Sequence, residues 1–292
     1  MTRARVTVRV PASTANLGPG FDALGLALAL YDEVTVALAA SGLQVEVHGE
    51  GAGEVPTDER HLVVRALRAA CARLGYRPEG LVLCCRNRIP HARGLGSSAA
   101  AAVAGVLAGY ALAGREPDQA ALDLAAQFDG HADNAAACLC GGLVICWQEG
   151  DAFRATRLEP HPDLAPVLLV PDVTSSTEAA RGLLPAEVPH ADAAFTAGRA
   201  ALAVHALTEA PHLLLAATED RLHQPYRRDA YPATARLVDA LRSAAVPAVV
   251  SGAGPTVLAL PAGGELPTVV DTAGFTPYRL DVACAGAAVE CA

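Results

Sequence analysis

The sequence predicts an α+β protein of two domains. Three observations carry that reading. Strand-like alternation recurs in three stretches of the first fifty residues; an Ala-rich stretch from Ser97 to Ala113 has almost nothing to oppose a helix; and the composition changes over 149–163, with strands and helices on both sides of the change. At 292 residues the chain can bury a sizeable core in each half, here divided as 1–155 and 156–292.

Residues 5–10 alternate as a strand, and P-A-S-T-A-N-L-G-P-G-F-D (11–22) interrupts them with turn formers. Alternation resumes over 31–39 and 43–48. Helical spacing over 61–74 places Val63, Leu67, Ala70 and Leu74 on one face. A short apolar strand over 81–85 feeds the loop R-I-P-H-A-R-G-L-G-S-S, which opens the Ala-rich helix. A second helix covers 118–128. The polar run D-G-H-A-D-N (129–134) follows, then an Ala-rich turn and a buried strand over 141–147. In the second half, a strand over 165–171 precedes a helix starting near Ser176, which puts Thr177 and Arg181 on one face. Helices around 191–207, 210–218 and 230–245 come next. A strand over 248–250, the turn S-G-A-G-P-T (251–256), a strand over 257–260 and a last strand over 278–282 complete the chain.

Composition excludes several function classes. Hydrophobic residues make up 52% and charged residues 18%, with no eighteen-residue apolar run, so no membrane span is expected. Met-Thr-Arg-Ala-Arg leads directly into alternating residues without a secretory h-region, which points to a cytoplasmic protein. A net charge of −9 argues against a nucleic-acid partner. All 22 basic residues are arginine; without lysine there is no Walker A lysine, protein-kinase strand lysine or Schiff-base nucleophile. The eight cysteines sit mostly in apolar runs and form no pair of C-x-x-C units, which predicts buried free thiols rather than zinc.

Two stretches carry chemistry. Gly94 and Gly96 precede Ser97 and Ser98 at the mouth of a helix, where free backbone N–H groups hold about half a positive charge. A loop with so little side chain lets phosphate oxygens reach the main chain. In 129–134, four polar or ionisable residues lie between apolar elements, a costly arrangement to bury without a purpose. Asn16 and Asp22 bracket Gly18, Pro19 and Gly20, so their side chains can face one space across a tight loop.

Taken together, P-A-S-T-A-N-L-G-P-G-F-D, P-H-A-R-G-L-G-S-S-A-A, D-G-H-A-D-N-A-A-A-C-L-C-G-G-L and S-G-A-G-P-T resemble, in order, the motifs of the homoserine kinases of the GHMP small-molecule kinase superfamily. S-T-E-A-A-R and H-Q-P-Y-R match as well, so the likeness spans nearly the whole chain. The resemblance implies a ribosomal S5 domain 2-like N-terminal domain, a ferredoxin-like C-terminal domain, and a site in the cleft between them. It implies ATP-dependent phosphorylation of L-homoserine to O-phospho-L-homoserine in threonine biosynthesis. Alternatives are a GHMP kinase for another small hydroxy amino acid, or a catalytically silent GHMP-fold ligand-binding protein. The ATP phosphates are assigned to Pro90, His91, Ala92, Arg93, Gly94, Leu95, Gly96, Ser97, Ser98, Ala99 and Ala100. Mg²⁺ falls to Ser98 and Asp129, although position 129 is Asp where the family usually has Glu. Arg181 and Arg227 are the carried-over carboxylate binders, and Asp22 and Asp133 the acceptors for the ammonium group. Asn16, His131 and Thr177 line the pocket, and Asn134 orients the acceptor hydroxyl; Asn134, Asp133 and Ser98 form the catalytic set. No general base is identified, since the Asp/Lys pair of some GHMP kinases has no lysine here. A homodimer is an expectation of the family.

Overall fold

The computed structural model describes residues 4–174 and 180–291. Thr177 and most of the expected turn of helix near Ser176 lie outside the described residues. Strands β1 (Arg5–Ala15) and β2 (Leu24–Ala39) form a long antiparallel pair. The turn expected from residue 11 begins only at Asn16, because β1 absorbs Pro11 through a register shift between Pro11 and Ala12. A bulge is where a strand can give up the ladder bond that proline lacks. Strand β3 (Gly42–Gly49), helix α1 (Leu62–Arg73) and strand β4 (Gly80–Asn87) form a crossover, and β3 and β4 accordingly pair in parallel. Helices α2 (Ser97–Leu112), α3 (Ala120–Ala126) and α4 (Asp133–Cys140) follow, then the hairpin of β5 (Leu143–Glu149) and β6 (Ala152–Leu158). The Ala-rich stretch expected as a turn after Asn134 is a helix; three consecutive alanines and a leucine, with no β-branched residue, favour it.

The first sheet runs β11-β1-β2-β4-β3, with β5 on β2 and β6 on β5. Strand β2 is long enough to serve both arms: Glu33–Ala39 pair with β4, Leu24–Leu26 with β5. Strand β7 (Val167–Pro171) opens a second sheet, ordered β10-β7-β9-β8. Its helices are α5 (His190–Thr208), the short α6 (Leu214–Ala217) and α7 (Gln224–Arg227), and α8 (Pro232–Ser243). Strands β8 (Ala248–Val250), β9 (Val257–Ala259) and β10 (Phe275–Arg279) complete that sheet. The strand expected to be last is not: β11 (Ala288–Cys291) returns to pair with β1. A boundary at 155 also cuts through β6, which pairs with β5 along its whole length; by sheet membership the chain crosses over after Leu158 and comes back at its end.

Helix α2 is apolar all round, with every residue from Ala102 to Leu112 buried, as befits a helix at the centre of the main core. Its close neighbour is α1. A Cβ at Gly105 would stand 2.3 Å from the Val63 carbonyl oxygen, and one at Gly109 2.8 Å from the Ala70 Cβ. These two glycines let the helix backbones approach. Gly105→Ala is expected to cost about 1–3 kcal/mol by overpacking, read as a lower denaturation midpoint in urea with an unchanged slope. In the second sheet, Val167 and Leu169 of β7 meet Leu237 and Leu241 of α8 in a small separate core, while Leu168 and Val170 join the main one. This alternation ties the two sheets together through one strand.

None of the eight cysteines is joined in a disulfide. Cys71, Cys85, Cys138 and Cys146 are buried as expected, and burial pushes Cys71 up to about 11 and Cys85 and Cys138 up to about 12. Cys140, Cys284 and Cys291 are exposed, against the expectation of burial, because they lie at the end of α4 and in the largely exposed C-terminal segment. Among the described residues no helix is long and apolar enough to cross a membrane.

Candidate active site

The loop before α2 is held from below. The buried carboxylate of Asp32 accepts the backbone N–H groups of Arg88 (2.6 Å) and Ile89 (2.9 Å), fixing where the loop leaves β4. Burial nonetheless pushes the Asp32 carboxyl above its ordinary value, against those two bonds. Gly94 and Gly96 both have positive φ (78° and 69°). A Cβ on Gly94 would lie 2.3 Å from the Ser251 carbonyl oxygen, and one on Gly96 2.0 Å from Ser13 Oγ. Only glycine fits either position. Gly96 is itself the N-cap of α2, so no side chain caps the helix and the first-turn N–H groups remain available to an anion.

Three distant segments close around this loop. Ser13 N–H donates to the Leu95 carbonyl (3.1 Å), and Ser13 Oγ to Asn134 Oδ1 (2.9 Å). Ser251 Oγ bonds the Gly94 carbonyl (2.7 Å) and Thr14 Oγ1 (2.8 Å). Asn16 accepts the Asp22 N–H on Oδ1 and donates from Nδ2 to the Gly252 carbonyl, each at 2.9 Å. Asn16, Leu17 and Asp22 all lie in the left-handed region (φ 69°, 48° and 56°), a strained turn held by these bonds.

Charges of both signs occupy the same space. Ser98 Oγ donates to Asp129 Oδ1 at 2.8 Å. Burial raises the Asp129 carboxyl, and the Ser98 bond only partly offsets it. His131 Nδ1 donates to Asp133 Oδ1 at 2.6 Å. Burial opposes a charge on His131, but the bond to Asp133 and its charge outweigh it and hold the imidazole above its ordinary value. Arg181 reaches Asp22 Oδ1 at 2.5 Å. Arg227 is 3% exposed, and burial together with the nearby Arg181 pushes its guanidinium down. Phe21 lies beneath both guanidinium groups, 5.4 Å from that of Arg181 and 5.6 Å from that of Arg227.

One cavity of about 430 Å³ gathers nearly all the residues singled out in the sequence. Asn16, Asp22, Asp129, His131, Asp133, Asn134, Arg181 and Arg227 line it, as do His91, Ala92, Ala100 and the whole of Gly94–Ser98. Pro90, Arg93 and Ala99 do not. Arg93 turns away to bond the carbonyls of Pro171 (2.9 Å) and Asp172 (3.0 Å), tying the loop to the end of β7, while Pro90 and Ala99 are buried in the protein. Thr177 lies outside the described residues. Sequence reasoning missed Ser13, Phe21, His223 and Ser251 as parts of the site, though each sits inside a motif it had quoted. Asp32 carried no local signal: it is one residue of a strand. The lining also has an apolar share from Val55, Pro56, Leu62 and Val63, and takes in His61 and Asn87.

An uncapped helix mouth behind a glycine loop, next to a pocket holding paired carboxylates and guanidiniums, is the arrangement expected of a small-molecule kinase. Comparison with known proteins agrees. Residues 61–142 match the family described as GHMP kinases N terminal domain, and 199–268 the one described as GHMP kinases C terminal. The homoserine kinase of Streptomyces avermitilis is 54% identical over 98% of this chain and 96% of its own length. That of Streptomyces coelicolor is 58% identical over 88% of this chain and 84% of its own. A crystal structure of homoserine kinase from Cytophaga hutchinsonii superposes with a TM-score of 0.85 at 27% identity, covering 99% of this chain and 98% of that one. The chain is a GHMP kinase with the α+β fold of that superfamily. Within it, the chain belongs to the homoserine kinase family.

Proposed function

We propose that this chain transfers the γ-phosphoryl group of ATP to the side-chain hydroxyl of L-homoserine, giving O-phospho-L-homoserine for threonine biosynthesis. The observation that supports this most is the placement, in one cavity, of an uncapped helix mouth beside a two-signed charge pocket. Backbone N–H groups of Gly94–Ser98 receive the triphosphate in place of a lysine, and the apolar share of the lining, with His61 and Asn87, receives the base. The substrate's carboxylate falls to Arg181 and Arg227, whose planar forks suit it, and its ammonium group to Asp22 and Asp133.

Ser98 and Asp129 offer two hard oxygen donors already in contact, one of them a half-buried carboxylate that the site disfavours in its charged form, a donor set that fits Mg²⁺. When bound there, the ion supplies neutralisation of charge on the phosphate oxygens. The remaining work is positioning. Asn134, whose Oδ1 is held by Ser13, keeps its amide group turned toward the acceptor hydroxyl. The hydroxyl oxygen attacks the γ-phosphorus, the bond to the β-bridging oxygen breaks, and the hydroxyl proton leaves late to a phosphate oxygen. A loose transition state makes a strong base unnecessary.

The test is ADP release measured across L-homoserine, threonine, serine and mevalonate. Turnover should be far higher with the three amino acids than with mevalonate, since two acidic and two basic residues suit a zwitterion rather than a simple acid, and the homoserine kinase relatives make homoserine the best of the three. Turnover of another alcohol without homoserine would overturn the assignment.

A further inference from the structure

Arg227 is buried, and its own hydrogen bonds are few and mostly long. Its Nε reaches the Ala180 carbonyl at 3.3 Å and its Nη1 the Gly252 carbonyl at 3.4 Å. The short contact is to His223, four residues earlier, whose Nδ1 lies 3.0 Å from Arg227 Nη1. His223 is fully buried. Its other nitrogen, Nε2, stands 2.7 Å from the carbonyl of Gly18, in the loop that carries Asn16 and Asp22. Its ring stacks on Phe21, 5.0 Å between centroids, the same ring that underlies Arg181 and Arg227.

These contacts admit one state of the imidazole. A carbonyl oxygen only accepts, so Nε2 must carry the hydrogen; a guanidinium only donates, so Nδ1 must be bare. The opposite tautomer would set lone pair against lone pair and N–H against N–H. The imidazolium would set N–H against the guanidinium and add a like charge. Asp220 holds the base of this arrangement: its carboxylate accepts the N–H groups of Leu222 (2.7 Å), His223 (3.2 Å) and Gln224 (2.8 Å) at the start of α7, and lies 3.4 Å from Nε2.

We infer that His223 is the positioning residue of the substrate carboxylate clamp: as a neutral Nε2–H imidazole it couples the Asn16–Asp22 loop to Arg227 and aims the Arg227 guanidinium into the cavity. It does not touch substrate. The inference rests on the reading of Arg227 as a carboxylate binder, and it adds a residue that acts only through Arg227.

Two near-isosteric variants separate the halves of this bridge. The amide oxygen of asparagine reaches the place of Nδ1, so His223→Asn keeps an acceptor for Arg227 and gives up Gly18. The amide nitrogen of glutamine reaches the place of Nε2, so His223→Gln keeps the bond to Gly18 and gives up the acceptor. His223→Gln should raise KM for homoserine roughly tenfold or more, the scale of one hydrogen bond to a charged group, with kcat and KM for ATP nearly unchanged. His223→Asn should recover most of that loss. In an Arg227→Leu background, His223→Gln should add nothing further. Equal KM values for the two variants, or a loss in kcat and ATP affinity together, would overturn the inference. So would a full additional effect on top of Arg227→Leu. If neither variant folds, nitrogen-15 NMR of the wild-type imidazoles decides: a bare Nδ1 and protonated Nε2 at neutral pH support the bridge, and any other state of His223 removes it. Wild-type turnover with homoserine tests the proposed function separately. Should another amino alcohol be the substrate, the ratio between variants is read on that alcohol.

Discussion

Asp129→Asn should lower kcat by roughly 10²–10³-fold while leaving the fold as stable as before or more so, an effect of the size expected when one charge-stabilising group is removed from a phosphoryl-transfer site. The two halves of that expectation come from one fact. Burial raises the Asp129 carboxyl above its ordinary 3.8, which means that the folded protein, by itself, disfavours the charge. A carboxyl whose folded pKa lies above its unfolded value subtracts stability as pH rises through the unfolded value toward the folded one, and the deficit persists at neutral pH. Replacing it with an amide of the same shape removes that deficit and keeps an acceptor for the Ser98 hydroxyl, 2.8 Å away. A group that costs stability and yet sits in the cavity is one whose charge serves a ligand. Measured kcat at saturating Mg²⁺ and the thermal midpoint at pH 7 check both halves. A normal kcat would remove Asp129 from the metal site. A lost kcat with an equally lost midpoint would make it a structural residue.

Legibility in the sequence followed the range over which each signal acts. The loop at Gly94–Ser98 and helix α2 were plain, because Gly-rich and Ala-rich composition acts within a few residues. Strands β6 and β11 were not: β6 is mostly half-buried without alternation and β11 is short and largely exposed, so neither shows a buried face to the reader. The pairing of Arg181 with Asp22 spans 159 residues and that of Ser13 with Asn134 spans 121, and nothing local to any of the four encodes a partner. The roles of Arg181, Asp22 and Asn134 came from the likeness of whole motifs to a family, which carries roles but not contacts, and Ser13 was given none. The same motifs held His223 and Phe21 in plain view. Their part became visible only when the fold set an imidazole between the Gly18 carbonyl and a guanidinium. Arg93 shows the reverse: a loop position assigned to phosphate instead spends its guanidinium on the end of β7.

Arg227→Leu should raise KM for homoserine by roughly 10²-fold or more, the effect of removing one partner from a desolvated charge pair, with KM for ATP and kcat changed little. The geometry gives the reason for so large a number. Arg227 is 3% exposed, and burial and the neighbouring Arg181 already push its guanidinium down, so it has little solvent to return to and gains most from an anion placed against it. Arg181 is the weaker member. It is more exposed and already joined to Asp22, so a substrate carboxylate must share it with that aspartate. Arg181→Leu therefore loses one contact and frees an unpaired carboxylate, which the substrate's ammonium group can use, and its KM should rise less than that of Arg227→Leu. A zwitterion inserted between Asp22 and Arg181 replaces an internal pair with two external ones, whereas the Arg227 contact is a net gain. The order of the two KM values, taken with homoserine at constant ionic strength, is the readout. If Arg181→Leu is the worse variant, the substrate carboxylate sits on Arg181 and Arg227 is support. If neither changes KM, the carboxylate binds elsewhere in the cavity.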